Sequence, residues 1–289
     1  MNYVTENLDK SFTLEELAQV ANFSPYHFHR VFTAVCGESV NSFTNRVRLE
    51  KATRLLRFSK QDSISDIAFQ CGFSSPSTFS RSFKDYFETS PSAFRKNPVI
   101  QNSKIRKELL SMTEYLVPMS LEEKEAAFPV QVKTLPKRRV AYIRVEDSYQ
   151  DGVVIGAFEK LIDWARRTNV YNSGTFFGMS IDDPTTTPNG KYRYEVCVTI
   201  PDHIKSDADD THINFMTLPS CKYASTIVSG SFNHVATAIH YLFNEWLINS
   251  HYEPEHQHGL EIFQNKEIIC DWSYLDLDLC IPVKSLRSY

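Results

Sequence analysis

Two arginines and one glutamate carry the chemistry this sequence offers. Arg30 and Arg81 stand at matched places in two similar segments, SPYHFHRVF (24–32) and SPSTFSRSF (75–83). A guanidinium fork fits O6 and N7 of guanine in a DNA major groove, while serine and threonine hydroxyls suit mixed base edges. Glu261 lies in GLEIF (259–263), a strand-like run. A carboxylate among apolar neighbours is poorly solvated.

The arginines need helices to aim them. Around the first, Thr13 and Glu16 have capping-box spacing, and Leu14, Leu17, Ala18 and Ala21 give a buried helical side. Asn22-Phe23-Ser24 makes a turn, with Asn suited to a left-handed backbone. Ser24-Pro25 then starts a second helix with Phe28, Phe32 and Val35 inward. Around Arg81, Ile64, Ile67 and Ala68 form the first helix, and Gly72 breaks it. Ser74 or Ser75 caps the next helix, which has Pro76 at its first position and Phe79, Phe83, Tyr86 and Phe87 inward. Its outer face carries Ser77, Ser80, Arg81 and Lys84. The same pattern occurs twice, at an offset of 50 before the turn and 51 after it. Each copy reads as a helix-turn-helix.

Residues 41–61 join the copies. Phe43, Val47, Leu49, Ala52, Leu55 and Leu56 make an apolar stripe, and Arg46, Arg48, Lys51, Arg54 and Arg57 crowd the remaining surface. A long helix here would hold the two reading helices apart. Successive major grooves on one DNA face are roughly 34 Å apart.

Two helix-turn-helix copies on a long helix, closing with GFSSPSTFSRSFKDYFETSPSAFRK, resemble the AraC/XylS family over residues 1–98. The resemblance implies an all-α, double helix-turn-helix domain that inserts both second helices into the major groove. It implies base readers Tyr26, His27, His29 and Arg30 in the first copy, and Ser77, Thr78, Ser80 and Arg81 in the second. Arg46 and Lys84 suit phosphates better than bases. His27 and His29 form an HxH pair, but positions i and i+2 on a helix do not face each other, so no metal is expected there.

Composition sets limits on this reading. The chain has 289 residues and a net charge of −4, which excludes a uniformly basic nucleic-acid coat. Residues 1–100 hold 12 Lys and Arg against 10 Asp and Glu, or +2; the remainder holds 19 against 25, or −6. Six cysteines without a CxxC spacing read as reduced thiols. With no apolar leader and no 18-residue apolar run, the expectation is a cytoplasmic protein away from membranes.

Residues 99–127 are charged and carry Pro118, and read as a linker with some local structure. From 128 to 289, strand-like and helical runs alternate as two strand–helix–strand–strand units. Leu135-Pro136 matches Leu218-Pro219, Tyr149 and Phe232 begin the helices, and Trp164 and Trp246 end them. Gly178 matches Gly259, Ser180 matches Glu261, and YEVCVTIP matches LDLDLCIP. An α+β domain with pseudo-twofold symmetry and a groove between its halves follows.

This half resembles the GyrI-like effector-binding domain, a duplicated strand–helix–strand–strand (SHS2) fold, with GLEIFQN and LDLDLCIPV as its most specific marks. The resemblance implies a bulky, hydrophobic or cationic ligand in an aromatic groove, with Glu261 meeting its charge. Phe177, Tyr223, Trp246 and Tyr274 are the aromatic candidates, and Glu195 is a second acid. His251, His256, His258, Glu253 and Glu255 cluster in a turn-like stretch that reads as a solvated loop, not a metal site.

A multidomain, one-component transcription regulator follows, with the DNA reader first as in the Rob-type arrangement. Its expected partners are double-stranded DNA, a small effector and RNA polymerase, with no cofactor. Two alternatives remain at this level. The GyrI-like half could bind a protein partner, or hydrolyse reactive electrophiles with a glutamate and a tyrosine as some of that family do. No nucleophile motif, phosphate loop or metal set supports catalysis independently.

Overall fold

The computed structural model describes residues 1–59, 61–98, 115–148, 152–182, 186–205, 210–255 and 257–285. The chain divides into two compact units, Met1–Leu109 and Leu110–Tyr289.

The first unit is helical: α1 (Asn2–Glu6), α2 (Leu14–Val20), α3 (Pro25–Cys36), α4 (Val40–Phe58), α5 (Ile64–Gln70), α6 (Pro76–Phe87) and α7 (Pro91–Lys96). The two repeat offsets reappear in the elements, since α2 and α5 start 50 residues apart and α3 and α6 start 51 apart. Thr13 with Glu16, and Ser63 with Asp66, form complete capping boxes at α2 and α5. Ser24 and Ser75 cap α3 and α6, each followed by proline. The turns take a left-handed residue, Asn22 (φ 56°) in one copy and Gly72 (φ 80°) in the other. At Gly72 a Cβ would lie 1.9 Å from the Leu8 carbonyl oxygen, so the second turn has no room for a side chain.

Helix α4 is the spine. Its N-terminal half gives Phe43 and Val47 to a core with Leu17, Phe28 and Phe32. Its C-terminal half gives Leu49, Ala52, Leu55 and Leu56 to a second core with Phe79, Phe83, Phe87 and Phe94. Each helix-turn-helix thus owns half of one helix. Val35, expected inward, is 59% exposed.

The second unit holds α8 (Leu121–Ala127), α9 (Val153–Arg167) and α10 (Phe232–Tyr241), with α10 continuing through a π-helical turn, Leu242–Trp246. Its strands are β1 (Gln131–Leu135), β2 (Arg138–Val145), β3 (Phe176–Ser180), β4 (Tyr194–Ile200), β5 (Asn214–Leu218), β6 (Cys221–Gly230), β7 (Tyr252–Pro254), β8 (Gly259–Phe263) and β9 (Leu275–Ser285). They form one antiparallel sheet in the order β1-β6-β9-β8-β3-β4-β2-β5, with β7 on the end of β9. Helix α9 packs on β2 and β4, and α10 packs on β6 and β9, so the central strands β3 and β8 run between the two helices.

The ladders correct the repeat alignment. β1 and β5 begin at 131 and 214, and β3 and β8 at 176 and 259, so both pairs are 83 residues apart. The same offset places β2 within β6 and β4 within β9, and it pairs Cys197 with Cys280. Gly178 therefore corresponds to Glu261, not to Gly259. Glycine and closing-motif matches misled because the sequences of the two β3/β8 strands have diverged.

Of the linker, residues 99–114 lie outside the described residues, as does Tyr149. Residues 115–128 belong to the second unit and pack along α10: Tyr115 meets Phe232, the Val117 N–H donates to Thr237 Oγ1 (2.8 Å), and Phe128 meets Tyr241. The His251–His258 stretch is partly strand, because β7 pairs with β9 and Glu253 faces Lys284 at 3.4 Å. His256 lies outside the described residues, among which no group of three metal-binding side chains occurs.

Candidate functional site

In the helical unit, Phe28 and Phe32 of α3 and Phe79, Phe83 and Phe87 of α6 anchor inward. The helical period then turns Tyr26, His27, His29 and Arg30 outward on α3, and Ser77, Thr78, Arg81 and Lys84 outward on α6; Ser80 is half-buried. Tyr26 is 73% exposed, and the Arg30 guanidinium lies 5.7 Å from its ring centroid. His27 sits edge-on to Phe23. Ser77 and Thr78 hydroxyls both lie within 3.0 Å of the capping Ser75 Oγ, so they are partly engaged with the helix end. Arg81 and Lys84 are the exposed cations of α6 among the described residues.

Arg46 does not join them. It is 4% exposed and bonds Glu38 (2.9 Å) and Glu50 (3.0 Å) over the Phe43 ring. A guanidinium spent on two buried carboxylates is not presented to a phosphate. Two other cations of α4 are structural as well. Arg48 donates to the Leu8 and Lys10 carbonyls, and Lys51 donates to the Gln70 carbonyl at 2.7 Å. They satisfy chain ends at α1 and α5 and tie both copies to the spine.

In the sheet unit, Glu261 stands on β8 directly opposite Gly178 of β3. Tyr194 Oη donates to its Oε2 at 2.5 Å, and Ser180 Oγ donates to its Oε1 at 3.3 Å. Tyr194 reaches the carboxylate by crossing over Gly178, where a Cβ would come within 1.5 Å of the phenol oxygen. Burial pushes the Glu261 carboxyl above its ordinary range, and the Tyr194 and Ser180 hydrogen bonds pull it partly back. Burial, and then the Glu261 charge, hold the Tyr194 phenol well above its own.

The buried carboxylates of the described residues, and Glu38 beside them, are matched by cations. Glu38 and Glu50 share Arg46, Asp182 takes Arg193, Glu195 takes Arg144, and Asp278 takes Lys133. Among the described residues, Glu261 has hydroxyl partners only. It is half-buried, on strands that run between the helices. A carboxylate in that setting lacks a positive charge.

The expected aromatic wall is not assembled around it. Side chains alternate along a strand, and the register puts Phe177 opposite Ile262, while Gly178 is opposite Glu261. Phe177 therefore lies on the reverse face of the sheet. Tyr223 lies there too, in one core cluster with Phe177, Met179, Leu260 and Cys280. Trp246 stacks on Tyr252 (6.1 Å, 17°), whose strand pairs with the far end of β9, and Tyr274 is 52% exposed ahead of β9. Glu195 also faces the reverse side, and burial pushes its carboxyl up against the pull of Arg144. Tyr194, Ser180 and Gly178 are the partners that the sequence hid. Strand parity counted from Glu261 through the correct register is the signal that finds them.

Residues 128–284 match the family of GyrI-like small molecule binding domains, and residues 17–97 match a helix-turn-helix domain family. The Tn10 TetD protein of Escherichia coli is 36% identical over 95 residues, 33% of this chain and 68% of that protein. The chain belongs to the AraC/XylS family of DNA-binding regulators and carries a GyrI-like domain. Similarity to the right origin-binding protein of E. coli K12 is 30% over 148 residues, half of each chain, so the match spans only half the length of that relative. The regulator Rob of Salmonella typhimurium is 34% identical over 91 residues, 32% of this chain and 31% of its own. Among solved structures, the DNA-binding domain of AdpA with a target DNA is 30% identical, with 33% of this chain and 85% of that one covered and a TM-score of 0.32. Among the described residues of this AraC/XylS-family chain, no helix is long and apolar enough to cross a membrane.

Proposed function

We propose that this protein is a one-component transcription regulator. Residues 1–98 read duplex DNA through α3 and α6, and residues 128–289 take a hydrophobic cation at Glu261. The observation that carries the effector half is the recessed Glu261 carboxylate, held by Tyr194 and Ser180 and facing no cation among the described residues. A lipophilic cation supplies the missing charge and loses little hydration on entry. The DNA half rests on the duplicated, outward faces of α3 and α6, with Arg30 and Arg81 as base readers and Lys84 as a backbone contact. RNA polymerase is the partner that such a promoter-bound protein would act on.

The test is calorimetric titration of the full chain with tetraphenylphosphonium, beside neutral triphenylphosphine oxide. The cation binds, the neutral compound does not, and Glu261→Gln weakens the cation by at least about tenfold. Equal affinity of both compounds, or of both proteins, overturns the assignment.

The Tyr194–Glu261 hydrogen bond favours a second reading, in which the pair hydrolyses a reactive electrophile: the carboxylate attacks carbon as the carbon–leaving-atom bond breaks, the phenol protonates the leaving atom, and water then cleaves the ester and returns the proton to Tyr194. Turnover of an epoxide by the wild type, lost in Glu261→Gln, would select it.

A further inference from the structure

Helix α10, which flanks the central strands, departs from its repeat counterpart in one respect. Residues Leu242–Trp246 form a π turn, whereas the corresponding stretch 159–163 of α9 is α-helical throughout. A π turn carries one extra residue in its backbone ring, is rare, and is frequent at functional sites. Removing that extra residue would rotate the turn beyond it by about 100° relative to the turn before it.

The segment 115–128 is attached along the same helix. Tyr115 meets Phe232 at its start, Val117 binds Thr237 one turn on, and Lys124 Nζ reaches Glu245 Oε1 at 2.6 Å within the π turn. Phe128 then returns to Tyr241. Helix α8, inside this segment, buries none of its own residues. Within α8 the printed tie to α10 is this part-buried ion pair, 16% and 23% exposed at its two side chains. The Lys124–Glu245 pair is therefore a catch. It is made in the register that the π turn imposes on Glu245, and it is lost when that register changes.

We propose that the π turn of α10 and the Lys124–Glu245 pair form a releasable latch, by which a change in α10 frees the segment 115–128. Toward the N-terminus that segment continues into the chain of the DNA-reading unit. The proposal rests on the effector reading for what moves α10, since α10 packs on β9 and β9 pairs with Glu261's strand. The latch itself needs only the contacts along α10.

Hydrogen exchange on the full chain tests the latch. Lys124→Met and Glu245→Gln should each speed amide exchange in 121–128 about tenfold, and in 242–249 as well, with 159–167 unchanged. Saturating tetraphenylphosphonium should alter exchange of 115–128 in the wild type and leave it unaltered in Lys124→Met. Unchanged exchange of 121–128 in both variants overturns the latch, as does an equal change in 159–167. Absence of binding heat with the cation counts against the effector reading alone, because the ligand-free comparison still decides the latch.

Discussion

Gly178 and Glu261 face each other across the middle of the sheet, and each is the other's counterpart in the repeat. The pseudo-twofold axis therefore passes through this pair. At that point the two halves differ: one contributes a carboxylate and the other contributes only room. The room is filled by Tyr194, which crosses Gly178 to reach Glu261. Duplication built the sheet, and the departure from symmetry at its centre built the site.

Gly178→Ala should therefore disconnect Tyr194 from Glu261 without adding or removing charge. A Cβ 1.5 Å from the phenol oxygen must displace the ring. Loss of one hydrogen bond to a charged group corresponds to about 1.5–3 kcal/mol. The carboxyl then rises further, since that bond is among the influences holding it down. Cation affinity near neutral pH should fall roughly tenfold or more, checked by titration calorimetry. An unaltered affinity would show that Tyr194 does not orient the carboxylate.

The raised Glu261 carboxyl gives two pH dependences of opposite sense. The folded state holds this proton more tightly than the unfolded state. Stability from this group is therefore fully present below the ordinary carboxylate range and declines as pH rises through the folded value. Glu261→Gln, which cannot ionise, should match or exceed the wild type in melting temperature at neutral pH, with the difference closing in acid. A cation binds the ionised form, so affinity should climb with pH through the same window and then level off, with proton release visible as a buffer-dependent binding heat. Affinity independent of pH between about 4 and 8 would contradict the burial of this charge.

The arginines of the helical unit should separate into two kinds. Arg81→Ala removes an exposed guanidinium and should relax preference at one base position, at a cost of about 1–3 kcal/mol in binding, with an unchanged melting temperature. Arg30→Ala should behave alike, and Tyr26→Ala should weaken the same position by freeing Arg30 from the ring it lies over. Arg46→Ala leaves Glu38 and Glu50 buried without their partner and should cost about 3–5 kcal/mol in stability. Binding-site selection with each variant, paired with thermal melts, checks the division. Intact sequence preference after both Arg30→Ala and Arg81→Ala would remove them as readers.

How much of this was legible in the sequence depended on whether a feature was local. Caps, turns and the apolar faces of α2, α3, α5 and α6 are set within a few residues, and their offsets of 50 and 51 appear unchanged in the elements. The burial of Arg46 was not legible, because its partner Glu38 lies outside the helix and looks like any surface acid. The C-terminal fold class was legible from alternating runs, and Glu261 from its motif. Its partners were not, since they depend on pairing between strands about 80 residues apart. The misplaced glycine match shifts the repeat by two residues, which keeps every side chain on its face but names Ser180 instead of Gly178 as the counterpart of Glu261. The composition of a strand says that an aromatic exists, and only the ladder says which side it takes.

The two turns offer the last contrast. Asn22 and Gly72 hold the same left-handed backbone in equivalent places, yet only Gly72 is hemmed in. Any Cβ there meets the Leu8 carbonyl at 1.9 Å and the Arg48 guanidinium at 2.9 Å, the same guanidinium that bonds that carbonyl. Gly72→Ala should thus incur backbone strain and also break the tie between α4 and the end of α1, destabilising the helical unit by at least about 2 kcal/mol. Asn22→Gly keeps the backbone conformation and should change stability by less than about 1 kcal/mol. Chemical denaturation of the full chain, followed by far-ultraviolet circular dichroism, separates them. Equal effects of the two substitutions would mean that the Leu8–Arg48 contact contributes nothing to holding the second copy against the first.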